Sequence, residues 1–177
     1  MSLELEKQET FTDYLIQLIP MVRPWGEDLT ESQYYASDGG KAWLEINDRV
    51  SDHNQVLHFF FPNGEYMKSS EGLVSGGGKW RLLDDSNKII ISPGGGPKAG
   101  PGELYELAFL DSMFFILRRH GTNKFLVLGW EPVAAGLTWR DYVELLANKY
   151  REQQTSYRRV VVIIVIILVV LAILSIY

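Results

Sequence analysis

Three histidines, His53, His58 and His120, are the side chains best suited to metal binding or proton transfer near neutral pH. Their spacing supports neither. His53 and His58 stand five apart, off the i, i+4 helical face that brings two imidazoles to one ion. No metal site is therefore expected, and each is read as an isolated surface or strand-face group. The chain has no cysteine, which removes thiolate ligands, disulfides, a cysteine nucleophile and a lipidated cysteine. No serine sits in a nucleophile-elbow motif and no spacing of carboxylates marks an acid–base pair. The expectation is a non-enzymatic protein with no catalytic residue and no cofactor.

Arg118-Arg119-His120 is the densest basic cluster ahead of the C-terminal segment. At the end of a strand, alternation sends Arg118 and Arg119 to opposite faces, so at most one points inward. An inward guanidinium needs an anionic partner, either a carboxylate or a ligand; a solvated strand end needs none. Two glycine runs, Ser75-Gly-Gly-Gly-Lys79 and Gly94-Gly-Gly-Pro-Lys-Ala-Gly-Pro-Gly102, superficially offer phosphate-binding loops. A phosphate loop places Gly-Lys-Ser/Thr at the start of a helix, whereas Lys79 precedes Trp80 in a strand and Lys98 precedes Ala99. Both runs are expected to be flexible inter-strand loops, the second a lip at one barrel mouth. Asp84-Asp85 and Asp111-Ser112 fall where turns are needed, and there such side chains bond local backbone.

The elements that position these groups follow from periodicity. Tyr14, Leu15, Leu18 and Ile19 recur at helical spacing behind Thr10 or Thr12 as cap, and Pro20 and Pro24 are expected to end that helix. Short apolar runs then predict strands at 42–46, 56–61, 65–68, 79–83, 88–92, 104–110, 113–117 and 125–130. Compact turns separate them, among them Pro62-Asn63-Gly64 and Gly121-Thr122-Asn123. Eight strands at this spacing suit an antiparallel up-and-down meander, and closure into a barrel removes the exposed edges. After Pro132, Thr138 caps a helix whose apolar stripe is Trp139, Tyr142, Val143, Leu146 and Tyr150, with a break at 153–156 as the rival to continuity.

The strings His58-Phe-Phe-Phe-Pro-Asn-Gly-Glu-Tyr66, Gly78-Lys-Trp-Arg-Leu82, Lys88-Ile-Ile-Ile-Ser92 and Leu104-Tyr-Glu-Leu-Ala-Phe-Leu110 resemble the small lipocalin-like domains common in Bacteroidota. The likeness covers roughly residues 41–130, with Trp43 in the opening strand and Lys41 where the pattern has Gly. It implies a mainly β fold, an eight-stranded lipocalin-like barrel over 41–132. An interior of that size is either filled by side chains or holds one small ligand. The residues expected to line it are Trp43, Phe59, Trp80, Tyr105, Phe109, Phe115 and Arg119.

The flanking segments complete the reading. Residues 1–40 form a helix and loop, 138–157 an amphipathic juxtamembrane helix and 158–177 a single transmembrane helix. Residues 160–177 carry no charge, Gly or Pro, and as a helix span roughly 27 Å, near the roughly 30 Å of bilayer hydrocarbon. The β-branched run could equally be a buried strand in water. Lys149, Arg151, Arg158 and Arg159 flank it, so the positive-inside pattern puts the domain in the cytoplasm. The start lacks a basic stretch followed by an apolar one, so no secretory signal is expected. The net charge of −5 argues against a nucleic-acid polymer as partner. The expected partners are the bilayer, a membrane-protein partner or a second copy of the chain, and a small ligand. The leading reading is thus a tail-anchored barrel that binds a protein or small ligand at the membrane, as an accessory subunit of a membrane complex. The alternative is a ligand-gated membrane effector, since a small barrel plus a span is similar to some effectors of bacterial cyclic-oligonucleotide antiviral signalling.

Overall fold

Thr10 opens the first helix, α1 (Phe11–Val22), through a capping box: its Oγ1 accepts from the Asp13 N–H at 3.2 Å, while the Asp13 carboxylate accepts from the Thr10 N–H at 3.0 Å. The computed structural model describes residues 10–48, 55–84, 86–92, 94 and 101–174. Pro20 lies inside α1 rather than ending it; only two residues follow before a 3₁₀ turn over Arg23–Trp25. A proline that near a C-terminus disturbs only the last turn. Phe11, Leu15, Leu18 and Val22 recur at helical spacing and are buried.

Eight strands follow: β1 (Trp43–Glu45), β2 (Val56–Phe60), β3 (Glu65–Ser70), β4 (Leu73–Leu82), β5 (Lys88–Ser92), β6 (Glu103–Leu110), β7 (Phe114–Arg119) and β8 (Phe125–Trp130). Each pairs antiparallel with its sequence neighbour, and β8 returns to β1 through Trp43↔Trp130 and Glu45↔Leu128, closing the barrel. Gly64, at φ 83°, makes the β2–β3 turn where the Asn-Gly pair requires a positive φ. The first glycine run is part of a strand: residues 73–78 extend β4 and pair with β3 from Ser70 to Tyr66. Its lack of apolar side chains hid it, since pairing there rests on backbone. Of the second run only 94, 101 and 102 are described; 95–100 lie outside the described residues.

Alternation fills the interior. Trp43, Phe60, Tyr66, Ile89, Ile91, Phe115, Leu117 and Leu128 form one buried cluster, with Trp80, Leu82, Tyr105 and Leu107 packed against it. One end is stoppered by the segment after α1. Tyr35 is fully buried, its ring centroid 5.1 Å from Phe115 and 5.4 Å from Trp80. The Tyr35 hydroxyl donates to the Leu29 carbonyl at 2.8 Å, and the Trp43 indole N–H donates to the Tyr35 carbonyl at 3.0 Å. Lys41 locks the same end: its Nζ donates to the Tyr34 carbonyl at 2.8 Å and the Ser112 carbonyl at 2.7 Å, and lies 4.3 Å from the Trp43 ring centroid.

After the barrel come α2 (Glu131–Ala134) and α3 (Trp139–Leu174), the latter capped by Thr138, whose Oγ1 accepts from the Asp141 N–H. Tyr142 of α3 donates its hydroxyl to the Leu128 carbonyl at 2.9 Å and meets Phe114 edge-on. The chain divides into two compact units, the first ending at Val143 and the second beginning at Glu144.

Among the described residues, no helix is long and apolar enough to cross a membrane. Residues 175–177 lie outside the described residues. The transmembrane helix over 158–177, the tail anchor, the cytoplasmic single-pass topology, the bilayer as partner and the accessory membrane subunit all lose their basis, as does the membrane effector. Of the flanking cations, Lys149 lies over the Tyr150 ring at 5.4 Å and Arg151 is exposed; the side chains of Arg158 and Arg159 are outside the described residues.

Candidate functional site

Opposite the Tyr35 stopper, the barrel interior turns polar. On β1 the inward position two past Trp43 is Glu45; on β2 the one two before Phe60 is His58; on β3 the one two past Tyr66 is Lys68. Register brings them together, His58 opposite Trp43 and opposite Lys68. Across the mouth, β6 contributes Glu103 and Tyr105, and β7 contributes Arg119 opposite Tyr105. These groups, with Lys124, Ile91, Phe125 and Leu126, line a cup of about 340 Å³.

One side of the cup is a hydrogen-bonded relay. His58 Nε2 lies 2.9 Å from Glu45 Oε2, and His58 Nδ1 lies 2.6 Å from the Tyr66 hydroxyl. A carboxylate only accepts, so Nε2 carries the proton and the Tyr66 O–H donates to Nδ1. The His58 side chain is 3% exposed, and burial pulls its pKa below the ordinary value against the opposing pull of Glu45. Glu45 is held below the usual carboxylate range first by the His58 hydrogen bond, with Lys68 Nζ at 3.7 Å adding to it. The pair therefore stands as neutral imidazole and ionised carboxylate. Burial raises the Tyr66 hydroxyl well above its ordinary pKa, so it remains a donor.

The other side is an ion pair with a tyrosine. Arg119 Nη2 lies 3.0 Å from Glu103 Oε1, and the Tyr105 hydroxyl donates to Glu103 Oε2 at 2.5 Å. Arg118 points outward: its Nη2 is 2.6 Å from Glu106 Oε2, and His120 Nδ1 is 2.8 Å from Glu106 Oε1. Of the two arginines, Arg119 alone faces in, and its partner is a carboxylate.

The residues expected to line the interior separate into three groups. Trp43 and Phe115 are buried in the core, with Trp80 packed on them. Tyr105 and Arg119 reach the cup. Phe59 and Phe109 lie on the outer face: Phe59 alternates with inward His58 and Phe60, and the Phe109 ring sits within 2.9 Å of where a Cβ on Gly26 would be. An irregularity in the β6–β7 register between Leu107 and Phe109 explains the second case, because one extra residue reverses the alternation and turns Leu110 inward.

Sequence reasoning missed Glu45, His58, Tyr66, Lys68, Glu103 and Lys124. His58, isolated by its sequence spacing, is the most buried ionisable group of the cup. The available signal was period 2, which places Glu45, His58 and Lys68 on the faces of Trp43, Phe60 and Tyr66. His53 lies outside the described residues, and these contain no cluster of three or more metal-ligating groups. Asp111 forms a turn as expected, accepting from the Met113 and Phe114 N–H groups at 2.7 and 2.8 Å.

A larger depression of about 1180 Å³ lies along β3, β4 and β5, lined by Met67, Val74, Lys79, Trp80, Arg81 and Ser92. Its lining includes Tyr66 of the relay but neither Glu45 nor His58. The cup is the better candidate because its charged groups point into a barrel, where desolvation penalises them unless they are held for use.

No family model, no curated protein and no solved structure matches this chain, so what the structure supports of the lipocalin likeness is the closed eight-stranded barrel itself.

Proposed function

We propose that this barrel is a small-ligand binding module whose site is the polar cup, and that it works by recognition rather than by bond-making. The observation that carries the reading is the one-sided distribution of polar groups. The interior is packed with aromatics from the Tyr35 stopper upward, while Glu45, His58, Lys68, Glu103, Tyr105 and Arg119 converge at the other end around about 340 Å³ of open space. That volume is at the lower edge of small-molecule sites, which pair apolar walls with a few convergent polar groups. Ile91 and Leu126 provide those walls.

Recognition fits the chemistry better than catalysis. The Glu45–His58–Tyr66 relay has the connectivity of a nucleophile triad, but burial raises the proton affinity of the Tyr66 hydroxyl and so opposes the loss of its proton to His58. The relay instead fixes Glu45 and the β1–β3 side of the cup in one geometry.

The test is nuclear magnetic resonance on the full-length chain with a panel of one-ring compounds bearing anionic, cationic or neutral groups. Binding at the cup shifts resonances of Tyr105, Arg119 and Leu126 and leaves the outward Arg118 and Glu106 unmoved. A panel in which no compound moves the cup resonances overturns the reading.

A further inference from the structure

Resting on that reading of the cup, we propose that its ligand is a compact oxyanion: a carboxylate or phosphate monoester on a body no larger than one ring or a short chain. Three cations, Lys68, Arg119 and Lys124, line the cup against two carboxylates, Glu45 and Glu103. Burial keeps His58 neutral and the tyrosines stay protonated. The cup therefore carries an excess of positive charge inside a chain whose net charge is −5. A concave, low-dielectric mouth focuses such an excess on whatever enters it.

The pairing within the cup shows which cations receive the anion. Lys68 and Glu45 lie together on the relay side, 3.7 Å apart. Lys124 is exposed at the rim and, among the described residues, makes no ion pair. Arg119 does have a carboxylate partner, Glu103, but both ends of that pair are open to water, at 46% and 39% exposure. An exposed pair holds weakly and exchanges readily. A ligand oxyanion can take the place of Glu103 on Arg119, where the guanidinium fork suits a planar or tetrahedral oxyanion, and Lys124 adds a point charge. Its body then rests on Ile91 and Leu126.

The size limit comes from the floor. Beneath the cup, Tyr66, Ile89, Phe115 and Leu117 belong to the packed core. A long acyl chain would have to displace buried side chains, so the cup favours a short body.

The experiment is calorimetric titration of the full-length protein with benzoate, phenyl phosphate, benzamide and benzylamine, with the cup resonances followed in parallel. Benzoate or phenyl phosphate binds at least about tenfold more tightly than benzamide, and the binding weakens as salt rises. Comparing the two anions separates a carboxylate head from a phosphate head. Arg119→Gln lowers the anion affinity about tenfold, while Arg118→Gln, one residue away on the outer face, leaves it unchanged. Glu103→Gln raises it severalfold by removing the competitor for Arg119. Lys124→Gln, on an exposed side chain, also lowers it and carries the test if Arg119→Gln proves unstable. Benzamide or benzylamine binding as tightly as the anions overturns the oxyanion proposal and leaves the cup as a binding site. Equal losses in Arg118→Gln and Arg119→Gln also overturn it. No binding by any of the four removes the cup reading as well.

Discussion

His58 Nδ1 lies 2.6 Å from the Tyr66 hydroxyl, although in the β2–β3 register His58 faces Lys68 and Tyr66 faces Phe60. The contact is therefore diagonal, between side chains two positions apart on neighbouring strands, within reach of long side chains on one sheet face. It ties the polar cup to the aromatic core, because Tyr66 packs 5.3 Å from Phe60 while its hydroxyl reaches His58.

Breaking that link has a defined cost. Tyr66→Phe leaves Nδ1 without its donor in a buried setting and should destabilise the fold by about 1 kcal/mol. His58→Phe strands both the Tyr66 hydroxyl and the buried side of Glu45, at about 1–3 kcal/mol. The double variant should cost less than the sum, since replacing both partners with apolar groups leaves neither unsatisfied. Urea unfolding of the four proteins measures the coupling; strict additivity would show that the hydrogen bond is not formed in solution.

Acid should weaken this fold through the same pair. His58 has its pKa lowered in the folded protein, so below the unfolded value of 6.5 the unfolded chain binds more protons and stability falls with decreasing pH. Glu45, also lowered, adds to the loss as pH drops through the unfolded value of 4.5 toward its folded value. Stability is expected to decline from about pH 6.5 downward. His58→Gln should flatten the upper part of that decline. A variant with the wild-type slope between pH 6.5 and 5 would place the titrating group elsewhere.

The barrel was legible in the sequence because its turns announce themselves: Asn63-Gly64, Asp111-Ser112 and Gly121-Thr122-Asn123 each mark a hairpin that the structure contains. β5 and β8 have the expected limits because both are short, apolar and bounded by turn residues. The first half of β4 was not legible, since its glycines offer no side-chain alternation and only partner backbone reveals it. Phe109 was misplaced for a related reason. A one-residue irregularity beside Ala108 inverts the faces downstream, and period-2 counting cannot detect it. The cup escaped notice because Glu45, His58 and Glu103 lie far apart in the chain and are assembled only by strand register.

Lys41 offers a test of the closed end. Its ammonium donates to carbonyls of two separate segments, at Tyr34 and Ser112. Lys41→Met keeps the stem on Trp43 but leaves those carbonyls without their donor, at about 1–3 kcal/mol. Burial lowers the Lys41 pKa from 10.5 to about 8, with Asp111 opposing. Between those values the unfolded chain binds more protons, so this residue makes stability rise with pH above about 8. The window closes near pH 10, where the raised pKa values of buried Tyr35 and Tyr66 act in the opposite sense. Unfolding curves from pH 7.5 to 9.5 should show a rising limb in the wild type and none in Lys41→Met.

Gly129 tests how α2 and the start of α3 seat on the barrel. A Cβ there would stand 2.6 Å from the Ala134 Cβ and 3.0 Å from the Tyr142 ring. Neither neighbour can yield easily: Ala134 is held in α2, and fully buried Tyr142 donates its hydroxyl to the Leu128 carbonyl one residue away. Gly129→Ala should therefore destabilise the protein by about 1–3 kcal/mol through overpacking. Adding Ala134→Gly removes the nearer clash and should recover part of the loss, even though glycine in a helix costs up to about 1 kcal/mol of its own. Thermal unfolding of the single and double variants decides the matter, and a double variant less stable than Gly129→Ala would refute the close approach of α2 to β8.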